Sequence, residues 1–358
     1  MPYRIGVVGG GLYGSRVLRA FWSFHLSGDI VLCALADINS AALNEAEKNY
    51  GIRVYDDYRR MIDDENLNAV AIVTPDHLHE EIACFCAEKK LHMLVQKPLD
   101  TSARGALKIT EAAEANGVLL YVDFHKRFDP SLILLRNRIR NGELGEILYG
   151  YAHIEDIIAY PSRHFAKWAH MSSPVWFIGI HMIDVFNWLF GEVPYKTSAV
   201  GAKKKLSGGG VDTYDFIQAR LYYQSVACVT LDSSWVLPDT FPSGVNQGVR
   251  IVGTEGVMEI DGQHRGLEAY TTGRQGMIEN PYGFLENENP YTGCALSGYT
   301  VDSMLMFLKI LKKLEQGAQL KSLAGSYPDG RQALSATAVA EAIHLSVVNA
   351  GAEIKIDL

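Results

Sequence analysis

Residues 4–24, RIGVVGGGLYGSRVLRAFWSF, decide how the rest of the chain is read. A short apolar run containing β-branched Ile5, Val7 and Val8 gives way to Gly9, Gly10, Gly11 and Gly14, and then to apolar residues at helical spacing. A G-x-G-x-x-G pattern alone is a weak signal. Between a strand and a helix it predicts a tight turn whose backbone can approach a pyrophosphate, with the free N–H groups of the helix start facing the charge. Gly9, Gly11, Leu12, Tyr13 and Gly14 are therefore expected to line a dinucleotide site.

The next strand pattern, IVLCALAD, ends at Asp37, about twenty residues further on, where such a site expects an acid. A carboxylate there accepts hydrogen bonds from the adenosine ribose and repels a 2′-phosphate. The following Ile38 and Asn39 offer no arginine to counter that repulsion, so NAD is favoured over NADP, with Asp37 and Ile38 at its adenosine end. The alternation continues with helix patterns in AALNEAEKNYG, HEEIACFCAEKK and SARGALKITEAAEANG, and strand patterns in NAVAIVTP, HMLVQKP and VLLYVDF. Strands and helices alternating at these lengths imply βαβ units and a parallel sheet. Ligands of such sheets gather at the carboxyl ends of the strands. Thr74-Pro75, Gln96-Lys97-Pro98 and Phe124-His125 all fall at or just beyond such ends.

From about residue 124 the pattern changes. FDPSLILLRNRIRNGELG reads as a linking helix, and strand-like runs follow in EILYGYAHIED, TSAVGAKK, TYDFIQARLYY, SVACVTLDSSWV, VRIVGTEGVMEID and GLEAYTT. Short turns such as 223–225 and 254–256 suggest hairpins. The expected fold class is α/β: a Rossmann domain with a parallel sheet over residues 1–123, and an α/β domain with a large, mainly antiparallel open sheet over 124–358. Helical patterns at 300–316 and 330–350 are candidates to pack back on the first domain. An open sheet with two apolar faces needs a cover, so a homo-oligomer, dimer or tetramer, is expected.

Composition narrows the partners. The 358 residues carry a formal charge of −8, which argues against a general nucleic-acid or anionic-membrane surface. No apolar stretch has the length of a membrane span, and the N-terminus lacks the pattern of a secretory signal. Five cysteines cannot all pair with one another, and Cys84 and Cys86 do not have zinc-knuckle spacing. A cytoplasmic location is the expectation.

Taken together, GVVGGGLYGS, the ALAD strand, IVTPDHLHEEIA, VQKPLDTS, the FHKRFDP–NGELGEI linker, GIHMIDVFNWLFG, IVGTEGVMEIDG and DGRQALSATAVAEAIHLSV resemble the Gfo/Idh/MocA family of NAD(P)-dependent oxidoreductases over nearly the whole chain. The resemblance implies redox chemistry at a carbinol carbon of a sugar, inositol or related polyol. It places the lysine of the family's E-K-P motif on Lys97 and its helix histidine on His181. It also places the threonine, proline and final histidine of the family's T-P-N-x-x-H segment on Thr74, Pro75 and His79, and the arginine before Phe-Asp-Pro on Arg127, near the nicotinamide. Two positions depart from the pattern. Gln96 stands where the family has glutamate, and Phe177 where it commonly has aspartate four residues before the histidine.

Oxidising a secondary alcohol requires a hydride acceptor and a group that takes the hydroxyl proton. Lys97 can take it if desolvation and a nearby cation keep part of the amine neutral. Gln96 removes an anion that would hold that lysine charged, and is itself expected near the cofactor. His181 is expected to contact the substrate and relay the proton beside Lys97. On a helix Asp184 lies at i+3 from it and either orients its ring or braces neighbouring backbone. Phe177, one turn before His181, either lines the pocket against an apolar sugar face or packs in the core. His164 and Trp168, in the loop before this helix, are further substrate candidates. His77, His79, His153, Glu155 and Asp156 show no spacing that demands a metal, and none is expected. Two other functions stay open: redox-neutral, NAD-dependent glycoside cleavage, and a non-catalytic NAD/sugar-binding regulator.

Overall fold

The computed structural model describes residues 2–272, 275–289 and 293–357. The opening run forms β1 (Tyr3–Val8), and the glycine turn feeds α1 (Leu12–Leu26). Then come β2 (Ile30–Ala36), α2 (Ser40–Tyr50), β3 (Arg53–Tyr55), α3 (Tyr58–Asp64), β4 (Ala69–Ile72), α4 (His79–Glu88), β5 (His92–Val95), α5 (Ala103–Asn116) and β6 (Leu120–Val122). The strands pair in the order β3-β2-β1-β4-β5-β6, parallel throughout. The order reverses beside β1, so a crevice opens over the C-terminal ends of β1 and β4, where sheets of this kind take ligands. Strands β4 and β6 are buried at every residue, as a sheet covered on both faces requires.

A 3₁₀ turn, His125–Phe128, leads into α6 (Pro130–Arg140), with Pro130 in its first turn and the Asp129 side chain accepting from the Ser131 N–H. The second layer contains β7 (Ile147–Ile157), α7 (Ile180–Phe190), β8 (Lys196–Ala202), α8 (Lys205–Gly208), β9 (Phe216–Tyr222), β10 (Cys228–Leu237), β11 (Val245–Gly253) and β12 (Gly256–Asp261). Two small hairpins follow, β13 (Leu267–Ala269) with β14 (Met277–Glu279), and β15 (Leu285–Asn289) with β16 (Gly293–Ser297). The chain ends with α9 (Tyr299–Glu315), α10 (Leu320–Leu323), α11 (Gly330–Val348) and β17 (Ile354–Lys355). The second sheet runs β12-β11-β7-β10-β9-β8-β17 and is antiparallel except where β7 meets β10.

Strand β7 shows why this sheet has one covered face. Gly150, Ala152, Ile154 and Asp156 alternate inward and are buried, and a side chain at Gly150 would press on Phe186 of α7. The outward positions Tyr151, His153 and Glu155, with Gln218, Arg220, Thr230 and Asp232 on neighbouring strands, are half-buried or exposed. That outer face is polar and aromatic. It is not the second apolar face on which the expectation of a homo-oligomer rested.

Helix α9 returns to the first sheet. Val301, Met304, Phe307, Leu308, Ile310 and Leu311 join one buried cluster with Ile5, Val7, Leu94, Leu119 and Tyr121, and the Tyr121 hydroxyl donates to the Ser303 carbonyl at 2.9 Å. Helix α11 packs between α5, α7 and β8. No helix among the described residues is long and apolar enough to cross a membrane.

Candidate active site

The glycine turn has the conformation its sequence requires. Gly9 adopts φ +101°, and a Cβ there would meet the Val73 backbone at 2.6 Å. Gly14 packs under the Gly9 carbonyl, where any side chain would collide. A Cβ on Gly11 would meet nothing within 4 Å, and no side chain caps the start of α1. The first N–H groups of that helix are thus free to face an anion. Asp37, at the end of β2, is held by two backbone donors, Gly10 N–H at 2.5 Å and Asn39 N–H at 2.7 Å, one on each carboxylate oxygen. Each oxygen keeps a further acceptor position. Leu12 and Ile38 flank this opening and are 55% and 95% exposed. An uncapped helix start, an open approach at Gly11 and a carboxylate beside them fit a dinucleotide.

Thr74 and Pro75 lie just beyond β4, half-buried at the crevice, and the Thr74 Oγ1 has no hydrogen-bond partner. His79 opens α4 just behind them. It is fully buried, and its ring nitrogens face the carbonyls of Pro98 at 2.8 Å and Thr74 at 3.0 Å. The ring lies between these two carbonyls, so His79 links the loop after β4 to the loop after β5.

Lys97 follows β5. Its ammonium donates to the carbonyl of Phe177, one turn before His181, and lies 4.7 Å from the centre of the Phe177 ring. Burial lowers the amine's pKa, against the pull of Asp76, Asp156 and Asp123. His181, 5% exposed, projects from the first turn of α7, and its Nδ1 has no partner. Burial, and then the charges of His125, Lys97 and Lys126, hold the imidazole well below its ordinary pKa, so it is neutral. A neutral imidazole with a free Nδ1 can donate or accept a hydrogen bond at a substrate oxygen.

Asp184 does not orient His181. Its two oxygens accept from Arg127 Nε at 2.8 Å and Nη2 at 2.5 Å, while Arg127 Nη1 donates to Gln332 at 2.6 Å. Arg127 therefore joins the turn after β6 to α7 and α11. This fork binds within the protein, so the guanidinium braces the junction of the layers; the resemblance implies that it also lies near the nicotinamide.

Several groups around Lys97 and His181 went unassigned at the sequence level. Asp123, fully buried, accepts from Gln96, from Ser303 at 2.6 Å and from the Tyr13 hydroxyl at 3.1 Å. Burial alone would raise its pKa, but the His125 imidazole 3.7 Å away and the Ser303 and Gln96 hydrogen bonds bring it below the ordinary value. The His125 ring lies 4.5 Å from His181 and stacks on Tyr299 at 5.6 Å. Lys126 donates to Gln247 at 2.5 Å and to the Tyr299 hydroxyl at 2.8 Å. Gln96 thus does not leave the lysine without anions. The strand-end rule that singled out Lys97 had already marked Phe124-His125; it extends to Asp123, which also sits at the carboxyl end of β6.

Phe177 is half-buried among Phe165 at 4.6 Å, Trp168 at 6.0 Å and Trp235 at 6.1 Å, so its ring belongs to an aromatic cluster that also borders Lys97. Trp168 shares that wall. His164 is exposed, with its ring 5.6 Å from Tyr160, and does not join the cluster. Among the described residues no group of His, Cys, Asp and Glu has the arrangement of a metal site.

Comparison with known proteins agrees with this geometry. Residues 3–124 match a model described as an oxidoreductase family with an NAD-binding Rossmann fold, and residues 133–259 match a GFO/IDH/MocA C-terminal domain. An inositol 2-dehydrogenase of Saccharopolyspora erythraea is 31% identical over 54% of this chain, and the match spans about half, 55%, of that protein. The rhizopine catabolism protein MocA of Rhizobium meliloti is 30% identical over 72% of this chain and 78% of its own length. The crystal structure of a myo-inositol 2-dehydrogenase from Lactobacillus plantarum superposes with a TM-score of 0.80 at 18% identity, covering 100% of both chains.

Proposed function

Because the chain belongs to the Gfo/Idh/MocA family of oxidoreductases, we propose that it is an NAD-dependent dehydrogenase acting on a secondary alcohol of a cyclic polyol, sugar or glycoside. The observation that carries this reading is the buried pair at the sheet's carboxyl edge. The Lys97 amine is desolvated, and its ammonium bonds the carbonyl four residues before His181, whose Nδ1 has no protein partner. When bound, the nicotinamide supplies the hydride acceptor. Gly9, Gly11, Gly14 and the start of α1 would hold the pyrophosphate, and Asp37 the ribose. The Asp37 carboxylate also supports NAD over NADP, since it repels a 2′-phosphate.

The remaining chemistry belongs to the chain. Lys97, when neutral, accepts the hydroxyl proton of the substrate, and His181 Nδ1 hydrogen-bonds the same oxygen. Phe165, Trp168 and Phe177 give the pocket an aromatic wall suited to the apolar C–H face of a six-membered ring. The outer face of the second sheet, although polar, is left open and remains the candidate surface for a homo-oligomer; sedimentation velocity tests whether one forms.

The deciding experiment is NADH formation across inositols, free sugars and glycosides, with products located by NMR. Lys97→Ala should abolish turnover and leave the Kd for NAD within a few-fold. Sugar release without net NADH would replace this reading with redox-neutral glycoside cleavage. No reaction with any member, despite tight NAD and sugar binding, would point to a regulator.

A further inference from the structure

At the far end of α7 from His181, the last turn of that helix meets α6, the start of β7 and the turn between β9 and β10. Together they bound a cavity of about 340 Å³, a volume that holds a small molecule. Ile139, Ile147 and Val226 give it apolar walls, the half-buried Trp188 adds an indole, and Arg136 and Arg140 supply charge. None of these residues takes part in the site around Lys97.

The two arginines stand one turn apart on α6 and share a face, a spacing at which like charges repel. Arg138, between them in sequence, is paired with Glu143 at 3.3 Å, whereas Arg136 and Arg140 have no ion pair among the described residues. The Arg136 guanidinium carbon lies 4.4 Å from the centre of the Trp188 ring, and its Nε–H donates to the Trp188 carbonyl at 3.1 Å. These contacts fix the fork at one side of the cavity and leave both terminal nitrogens without a protein acceptor. A cation at the C-terminal end of a helix is favourable, which accounts for Arg136 bonding α7. It does not account for Arg140, which makes no hydrogen bond among the described residues. Burial, then the charges of Arg140 and Arg127, push the Arg136 pKa down. The acid beside the cavity, Glu192, is occupied: it accepts from the Gln224 N–H at 2.5 Å and from the Ser225 N–H and hydroxyl. Gly191 ends α7 with φ +67°, and a Cβ there would meet nothing within 4 Å, so the cavity is open on that side.

We propose that this cavity binds a small organic oxyanion, a carboxylate or phosphate monoester carried on an apolar ring. The oxyanion accepts from the free terminal nitrogens of Arg136 and from Arg140, in the side-by-side geometry that guanidinium favours. The ring lies among Ile139, Ile147 and Val226, beside Trp188. A polyol is a poor match. Ser225 carries the only hydroxyl of the described lining and donates it to Glu192, so most hydroxyls of a sugar would lose water without gaining a partner. The cavity therefore takes a different class of ligand from the site at Lys97, and the proposal does not depend on the dehydrogenase reading.

The test is a titration of the full chain with phenyl phosphate and with benzoate, followed by tryptophan fluorescence and by calorimetry. At least one probe should saturate with a Kd of about 1 mM or below, and the tighter of the two identifies the preferred oxyanion. Benzyl alcohol keeps the ring without the charge, and inorganic phosphate keeps the charge without the ring; each should bind at least about ten-fold more weakly than the tighter probe. Arg140→Gln, at an exposed position, should weaken that probe by about ten-fold or more, the worth of a hydrogen bond to a charged group. Trp188→Phe should remove the fluorescence change while calorimetry still detects binding, which locates the ligand among the five tryptophans. Neither NAD nor myo-inositol should displace the probe. Displacement by either places it in the crevice of the first sheet and overturns the proposal. So does a failure of both probes to saturate below about 10 mM, equal affinity for benzyl alcohol, or wild-type affinity in Arg140→Gln.

Discussion

Removing Asp184 alone should damage this protein more than removing Asp184 and Arg127 together. The two side chains are 1% and 8% exposed and are joined by two hydrogen bonds, at 2.5 and 2.8 Å. Burial raises the Asp184 pKa even with Arg127 beside it, so desolvation outweighs the attraction within the pair. Such a pair is costly to bury and costlier to break. Asp184→Ala leaves a guanidinium buried beside only Gln332, and should lose about 3–5 kcal/mol. Replacing both partners by apolar residues of similar volume, Asp184→Leu with Arg127→Met, should return stability to within about 1 kcal/mol of the parent or above it. Urea unfolding followed by tryptophan fluorescence across the four-protein cycle measures the coupling. His181 is three residues from Asp184 on α7, so the single variant should also lower kcat. A single-variant loss below about 1 kcal/mol would show that this fork does not hold the layers together.

Asp37→Ala should weaken NAD by about ten- to a hundred-fold, the worth of one or two charge-assisted hydrogen bonds, and narrow the preference over NADP; an unchanged ratio of the two Kd values refutes the ribose assignment. Phe177→Asp places an anion near Lys97, so the amine's pKa rises and the acidic limb of the kcat profile for alcohol oxidation should move to higher pH. Substrate preference should change with it if the ring lines the pocket, whereas a loss of stability with unaltered preference indicates core packing. Asp156 titrates near 8 when folded and near 3.9 when unfolded, so the folded state binds more protons between those values. Its contribution to stability is present below the unfolded pKa and is lost as pH rises through the folded one. Relative to the wild type, Asp156→Asn should therefore gain about 1.4 kcal/mol per pH unit from pH 5 to 8, measured by chemical denaturation.

Much of the first layer was legible because local signals and global arrangement agree there. Apolar strand runs, Gly9 with its positive φ and the acid at the end of β2 each point to the same parallel sheet. Less of the second layer could be read. Hairpin turns announce antiparallel neighbours, but nothing local announces that β10 joins β7 in parallel after the α7 excursion. The site divides along the same line. Lys97 and His181 come from motifs, whereas Asp123 and Lys126 matter through partners distant in sequence, such as Ser303 and Gln247. The bonds of Arg127 to Asp184 and Gln332, and of His79 to two backbone carbonyls, were not legible, because a motif fixes a residue's place while its bonding is settled by what packs around it.

The return of α9 to the first sheet bears on how this polypeptide is made. Tyr121 and Ser303, which meet in the first core, are separated by 182 residues. At about 5–20 residues per second, a ribosome needs on the order of ten to forty seconds to cover that interval. Throughout it, the nascent nucleotide-binding half presents the bare apolar surface of Ile5, Val7, Leu94 and Tyr121 that Phe307 and Leu311 eventually cover. Release of this half from chaperones should therefore track emergence of α9 from the exit tunnel, and a chain stalled before residue 300 should stay bound to them.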